Sequence, residues 1–292
     1  MTPPSVSVLV TVYNRERYLE ECLESIRVSA YTNFEVIIVD DGSSDGSPQI
    51  ASDFAAQDSR FLFYQNAENL GDYTNRMKAA RAASGRYIKY VDADDLIYSH
   101  GLDVMISAMD ANPEAALALS HSLPEDERPY PWLLSPRDAY RKEFLGDGCM
   151  GSGPTGAIIR RDAFFEAGGF EMWGVLSDTQ CWYRLSARWP LVLLPPGLVW
   201  WRRHEGQEFT RGDADIVYLE KGLAVAMKAL NSNECPLDDT ERARAIERIR
   251  HRYSRRLMSA AIRGPKRKAA IMAMRNSGLS TAELIGAFRP HW

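Results

Sequence analysis

The chain has 292 residues, 45% of them apolar and 25% charged, the make-up of a soluble globular protein long enough to bury a substantial core. The net charge of −4 hides an asymmetry: residues 241–275 hold twelve Lys/Arg against two Asp/Glu, a net of +10, and the remainder carries −14. Cys22, Cys149, Cys181 and Cys235 are widely spaced with no CxxC pair. That excludes a disulfide framework or a zinc ribbon and fits a reducing compartment. Met1-Thr2-Pro3-Pro4 lacks a basic n-region, so no signal peptide is expected. No stretch reaches the roughly 18–20 apolar residues that span a bilayer. A cytoplasmic protein is expected.

Val6–Val12 is an apolar, largely β-branched run, as suits a strand buried on both faces. A helix should follow, with Asn14 as N-cap and Leu19, Cys22, Leu23 and Ile26 on one face. Residues 34–39 read as a second buried strand. The turn Asp40-Asp41-Gly42-Ser43-Ser44-Asp45-Gly46 leads to Ser47-Pro48, an N-cap followed by a helix-starting proline. Phe61–Gln65 reads as a third strand, residues 72–84 as a helix stopped by Gly85, and residues 87–91 as a fourth strand. The βαβαβαβ order implies an α/β fold with a mostly parallel sheet flanked by helices.

Residues 123–136 carry four prolines and residues 149–154 are glycine-rich; both read as loops. Residues 155–160 suggest a strand, residues 161–167 a short helix, and Gly168-Gly169 its stop. Ser177-Asp178-Thr179-Gln180 matches a capping box opening a helix to about Arg188. The apolar segment 191–203, broken by Pro195-Pro196, suggests two short strands. From about Asp213 the chain turns helical.

Within this order, Tyr87-Ile88-Lys89-Tyr90-Val91-Asp92-Ala93-Asp94-Asp95 is the most informative segment. A strand runs into three carboxylates within four positions. Adjacent like charges are costly to bury, so the cluster belongs at a strand end facing water or a cation. Hard oxygen ligands suit Mg²⁺ or Mn²⁺, which in turn bind diphosphates. Asp40-Asp41 ends a neighbouring strand, on the sheet edge where α/β folds bind ligands. Neither GxGxxG nor GxxxxGK[ST] is present, and no GxSxG elbow occurs. A nucleotide would therefore be held through metal and carboxylates.

Four segments in order, Val6-Ser7-Val8-Leu9-Val10-Thr11-Val12-Tyr13-Asn14, Val36-Ile37-Ile38-Val39-Asp40-Asp41-Gly42-Ser43-Ser44-Asp45, Asn69-Leu70-Gly71 and the acidic segment above, closely resemble glycosyltransferase family 2. The resemblance covers roughly residues 5–210. It implies the GT-A fold, a Rossmann-like sheet flanked by helices; the helical C-terminal extension lies beyond the resemblance. Residues 1–212 would be catalytic, with about 1–120 binding the nucleotide sugar and about 121–212 facing the acceptor; residues 213–292 would be the extension. The activity implied is transfer of a sugar from a UDP- or dTDP-sugar to an acceptor hydroxyl, with inversion and with Mn²⁺ or Mg²⁺.

Carried over residue by residue, the resemblance places Tyr13 against the base, Thr11 beside it, and Asp41 accepting the base N–H. Asp92 and Ala93 would lie at the ribose, Asp94 would be the principal metal ligand, supported by Asp95, and Asp92 a further one. Arg76 falls where the family often has a donor-site arginine, although Met77 replaces the usual asparagine that follows. Asp178 matches the aspartate of a Glu-Asp pair, here Ser177-Asp178, and would be the base that takes the acceptor proton. His204 would approach the diphosphate or the metal. Simpler roles stand beside these: a core position for Tyr13, a turn for Asp41, a helix start for Asp178, and core filling for Trp200 or Trp201.

The basic stretch 241–275 fits either a solvated helix packed on its neighbours or an interfacial helix drawn to anionic lipid. No nucleic-acid motif accompanies it. The acceptor would be a glycan or lipid-linked glycan, as in bacterial surface polysaccharide synthesis, with the enzyme at the inner face of the membrane. A nucleotidylyltransferase would need a glycine-rich loop where Asn14-Arg15-Glu16-Arg17 stands. A silent nucleotide-sugar-binding scaffold is the remaining alternative.

Overall fold

The computed structural model describes residues 4–120, 128–205, 207, 212–263 and 265–286. The chain divides into two compact units, residues 1–139 with 149–202 and residues 140–148 with 203–292. In the first, β1 (Val6–Val12), β2 (Phe34–Asp40), β3 (Phe61–Gln65) and β4 (Tyr87–Tyr90) run parallel, linked by helices α1 (Glu16–Arg27), α2 (Ser47–Gln57) and α3 (Asp72–Ala82). There follow β5 (Leu96–Ile97), α4 (Gly101–Ala111), β6 (Leu117–Ser120), β7 (Trp132–Leu134), α5 (Pro136–Tyr140), β8 (Ala157–Arg160), α6 (Arg161–Glu166), α7 (Ser177–Arg188), β9 (Leu191–Leu194) and β10 (Val199–Trp200).

Among the described residues the main sheet has the order β3-β2-β1-β4-β8-β6-β9-β7. It is mostly parallel, with β8 antiparallel to both its neighbours and β7 antiparallel to β9. This is the expected α/β architecture. The predicted stripe of α1, Leu19, Cys22, Leu23 and Ile26, is wholly buried with Val8 and Val10 of β1 and Val36 and Ile38 of β2. An antiparallel pair, β5 with β10, brings residues 199–202 back beside the acidic turn that follows β4.

Several local expectations are corrected. Asn14 is not a cap: it holds φ 51°, and its Oδ1 accepts the Ser44 N–H at 2.9 Å. Ser47 begins α2 from inside, its Oγ accepting the Arg15 N–H at 2.9 Å. Ser177 forms no capping box. Its Oγ donates to Gly174 O at 2.7 Å and accepts the Trp173 N–H at 3.1 Å, while both amide atoms of Gln180 are buried without a partner. Gly85 is no helix stop but a contact point: a Cβ there would lie 2.6 Å from the Ser7 nitrogen. Of the expected loop 123–136, residues 123–127 lie outside the described residues; residues 132–134 are an edge strand, where Pro131 just ahead of it is tolerated.

The second unit is helical. It contains α8 (Ala214–Leu230), α9 (Asp239–Arg263), α10 (Arg267–Asn276) and α11 (Thr281–Gly286). On α9, Ala245, Ile249, Tyr253, Leu257 and Ala261 repeat every four residues and are buried, the apolar stripe of a packed helix. Two capping boxes do occur here. Glu241 N–H donates to Asp238 Oδ1 at 2.9 Å, and Glu283 N–H to Ser280 Oγ at 3.2 Å. No described helix is long and apolar enough to cross a membrane.

Candidate functional site

The carboxyl ends of β1, β2 and β4 lie side by side, because Val12 pairs with Asp40 and β1 also pairs with β4. Tyr13, just past β1, is 47% exposed, which rules out its core role. Thr11 is partly exposed one turn of the pleat earlier. Asp41 is buried and fastens the Asn69-Leu70-Gly71 turn. Its Oδ1 accepts from Asn66 Nδ2 at 2.7 Å and Leu70 N–H at 2.9 Å, and its Oδ2 from Gly71 N–H at 3.0 Å. Asp41 thus shapes the loop facing the end of β1 whatever else it binds.

The acidic turn after β4 is held from several directions. Asp92 Oδ1 accepts from Arg76 Nη1 at 2.8 Å, and Asp94 Oδ2 from Arg15 Nε at 3.0 Å. Ala93 is buried in the apolar core. Asp95 is buried, taking the Thr155 hydroxyl at 2.7 Å and the Arg202 N–H at 3.0 Å. Burial, with the charges of Asp92 and Asp94, raises its carboxyl to about 7 despite those donors. Thr155 Oγ1 also accepts the Asp92 N–H at 3.0 Å, so one hydroxyl ties both ends of the turn together.

Arg76 is the hub. Burial alone would lower its pKa, but Asp72 and Asp92 outweigh that and keep it cationic. Its Nε reaches Asp72 Oδ1 at 2.8 Å, and its guanidinium lies 5.6 Å from the Tyr73 ring centre. Tyr73 Oη in turn accepts the Asp178 N–H at 3.4 Å. Helix α3 thereby connects the carboxylates after β4 to the start of α7. Asp178 feels Arg76, Asp92 and Asp72, and burial raises its carboxyl above the usual range against the Thr179 N–H and Arg76. A carboxylate so raised is a stronger proton acceptor than a solvated one.

His204 belongs to the second unit, where its N–H donates to Gln207 Oε1 at 3.1 Å and its Nδ1 lies 2.8 Å from Glu205 O. Trp200 and Trp201 are 41% and 46% exposed, so neither fills the core. Arg202 spans Asp94 O, Asp95 and Glu21. Reasoning from the sequence missed Thr155, Arg202, Tyr73 and Arg15. Only Arg15 and Arg202 carried a signal, as cations beside acidic motifs.

Among the described residues no group of three or more His, Cys, Asp and Glu is gathered for a metal. Asp92 and Asp94 still fit one. Mg²⁺-type ions are held by one or two carboxylates completed by substrate phosphates.

The fold resembles that of S. aureus TarS residues 1–349 in complex with UDP-GlcNAc, with a TM-score of 0.71 and 18% identity over 98% of this chain and 82% of that one. It also resembles the mannosyltransferase PcManGT from Pyrobaculum calidifontis in complex with GDP-Man and Mn²⁺, with a TM-score of 0.67, 20% identity, and 98% and 86% coverage. In sequence, EpsH of Bacillus subtilis is 47% identical over 98 residues, 33% of this chain and 28% of its own length. Glycosyltransferase GlyA of Streptococcus pneumoniae is 41% identical over 92 residues, 32% of this chain and 13% of its own. The chain thus spans less than a third of the length of these two relatives. The family model described as Glycosyl transferase family 2 matches residues 7–167, more than half of the chain, and the chain belongs to glycosyltransferase family 2.

Proposed function

We propose that this protein transfers a glycosyl group from a UDP- or dTDP-sugar to an acceptor hydroxyl, with inversion at the anomeric carbon. The observation that carries this reading is the chain of contacts from Asp92 through Arg76 and Tyr73 to Asp178. It links the carboxylates suited to a metal–diphosphate with a carboxylate of raised basicity. Asp178 takes the acceptor proton while the acceptor oxygen bonds to the anomeric carbon and the glycosyl–phosphate bond breaks, its electron pair leaving with the diphosphate. Attack from the face opposite the leaving group inverts the centre. Asp94 and Asp92 would hold a divalent cation, Mn²⁺ or Mg²⁺, which would supply charge neutralisation for the departing diphosphate. Arg76 stays cationic beside Asp92 and aids the same end. Tyr13 stacks on the base, Thr11 flanks it, Asp41 reads its N–H, and the backbone at Ala93 lies by the ribose. The UDP-GlcNAc of TarS and the GDP-Man and Mn²⁺ of PcManGT support a nucleotide-sugar donor and a metal.

The acceptor is a glycan or lipid-linked glycan, and residues 1–212 carry the chemistry while 213–292 serve attachment at the inner face of the cytoplasmic membrane. Arg255, Arg256, Arg267, Lys268 and Arg275 are exposed, as are Ile262 at 59% and Met272 at 66%. Cations beside protruding apolar side chains suit an anionic bilayer better than nucleic acid. The donor reading is tested by a thermal-shift screen of nucleotide sugars with and without Mn²⁺, run beside Asp94→Ala. Stabilisation by one donor that depends on Mn²⁺ in the wild type and is lost in Asp94→Ala is expected. Metal-independent or absent stabilisation across the screen contradicts it.

A further inference from the structure

Arg15 stands three residues beyond the end of β1, and its guanidinium is committed. Nε donates to Asp94 Oδ2 at 3.0 Å, and Nη1 donates to the carbonyls of Tyr13 at 3.3 Å and Asn14 at 3.1 Å. The loop presenting it is pinned independently of that side chain. Asn14 sits at φ 51°, a conformation asparagine tolerates better than most residues. The Asn14 N–H donates to Ser43 Oγ at 2.8 Å and the Arg15 N–H to Ser47 Oγ at 2.9 Å. The Asp94 side chain is only 14% exposed and that of Arg15 29%, so solvent and salt screen the pair weakly. From the other side Arg202 Nε holds the Asp94 carbonyl at 2.8 Å, so the backbone of Asp94 is fixed independently of Arg15.

Both carboxylates assigned to the cation therefore already carry an internal one, Arg76 on Asp92 and Arg15 on Asp94. The two arginines differ. Arg76 is buried with a second carboxylate, Asp72, on its far side, whereas Arg15 is part-exposed and, among the described residues, pairs with Asp94 only. Arg15 is the pair that can open. A divalent ion with only this much protein charge available binds well when phosphate oxygens complete its coordination.

We propose that Arg15 is an exchangeable counter-cation that keeps Asp94 from holding a divalent ion until the ion arrives with a nucleoside diphosphate. On arrival Asp94 passes from guanidinium to metal, and Arg15 passes from Asp94 to the diphosphate oxygens, which its planar fork matches. Each charge leaves one partner for another of the same sign, so no carboxylate or guanidinium is left bare. The inference rests on the donor reading above and adds an order to it: cation and nucleotide enter together.

The test compares wild type, Arg15→Ala, Arg15→Lys and the double variant Arg15→Ala/Asp94→Asn. Free Mn²⁺ is followed by electron paramagnetic resonance with Mn²⁺ alone, and then with Mn²⁺ plus UDP, dTDP or GDP. Melting curves establish that each variant is folded, and Arg15→Lys, which keeps the charge, serves if Arg15→Ala does not fold. Arg15→Ala should tighten binding of Mn²⁺ alone by at least about fivefold, Arg15→Lys by less, and the double variant should lose the gain. The nucleoside diphosphate should bind Arg15→Ala more weakly than wild type in the presence of Mn²⁺. Equal affinity of wild type and Arg15→Ala for Mn²⁺ alone overturns the inference, as does a gain that survives in the double variant; neither touches the donor reading. A wild type that binds none of the three diphosphates with Mn²⁺ overturns the donor reading, and this role for Arg15 with it.

Discussion

Lys89 is fully buried beneath the acidic turn, its Nζ donating to the carbonyls of Tyr90 and Thr155. Burial lowers it from the ordinary 10.5 to about 7, against the pull of Asp92 and Asp95. In the unfolded chain the same group keeps its proton to about pH 10. Between about pH 7 and 10 the unfolded state therefore binds the extra proton, and stability from this group rises with pH across that window and is flat below it. Urea unfolding of wild type and Lys89→Met at pH 7, 8, 9 and 10 should show a steeper rise in the wild type; equal slopes would contradict the burial argument. Asp178 titrates with the opposite consequence. Its raised carboxyl must be ionised to accept a proton, so transfer should fail on acidification above the usual carboxylate range, and a pH–rate profile reads this directly. At this scale Asp92 and Asp94 were legible as candidates because three carboxylates crowd one strand end, and Asp178 because it resembles the aspartate of the family's Glu-Asp pair. Thr155 was not, since nothing in an isolated threonine says that its hydroxyl will bridge two residues sixty positions away.

The elements were readable wherever hydrophobic period was strong. β1, β2 and α1 follow directly from runs and stripes of apolar residues. Cap chemistry was much less reliable. Ser177-x-x-Gln180 has the pattern of a capping box and forms none, while Asp238-x-x-Glu241 and Ser280-x-x-Glu283 form them at helix starts that were not singled out. The four-residue pattern is common, and only the backbone entering the helix decides whether the side chain can fold back. Leu176 enters α7 at φ 70°, and Ser177 is spent on the preceding turn instead. Gly85 failed as a stop for a related reason: its purpose lies in another strand. An alanine there would press its Cβ to 2.6 Å from Ser7 N and 2.7 Å from Val6 C. Both are β1 backbone atoms that cannot step aside cheaply. Gly85→Ala should cost about 1–3 kcal/mol in chemical denaturation, and a change within error of zero would show that the α3–β4 connection yields more readily than the packing implies.

At the scale of the whole molecule, the charge asymmetry visible in composition maps onto the helical unit, where part of the basic charge is used internally. Arg250 pairs with Glu283, and Lys266 with Asp215 at 2.6 Å. Among the described residues Arg255, Arg256, Arg267, Lys268 and Arg275 have no ion-pair partner, which leaves them for a surface. Replacing Arg255, Arg256 and Lys268 by Gln should lower co-sedimentation with anionic phospholipid vesicles, with the difference shrinking as salt rises. Equal sedimentation of both proteins at low salt would assign these residues to solvation alone.

The central claim is the division of labour between donor carboxylates and a separate base, and Asp178→Asn tests it most directly. The substitution keeps the shape of the side chain but cannot accept a proton. Donor affinity with Mn²⁺, read by calorimetry, and sugar transfer, read by radiolabel, should be measured on the same preparation. The account predicts near wild-type donor binding and transfer slowed by about 10²- to 10⁴-fold. Transfer within a few-fold of wild type would contradict it, leaving Asp178 as the first turn of α7 and nothing more.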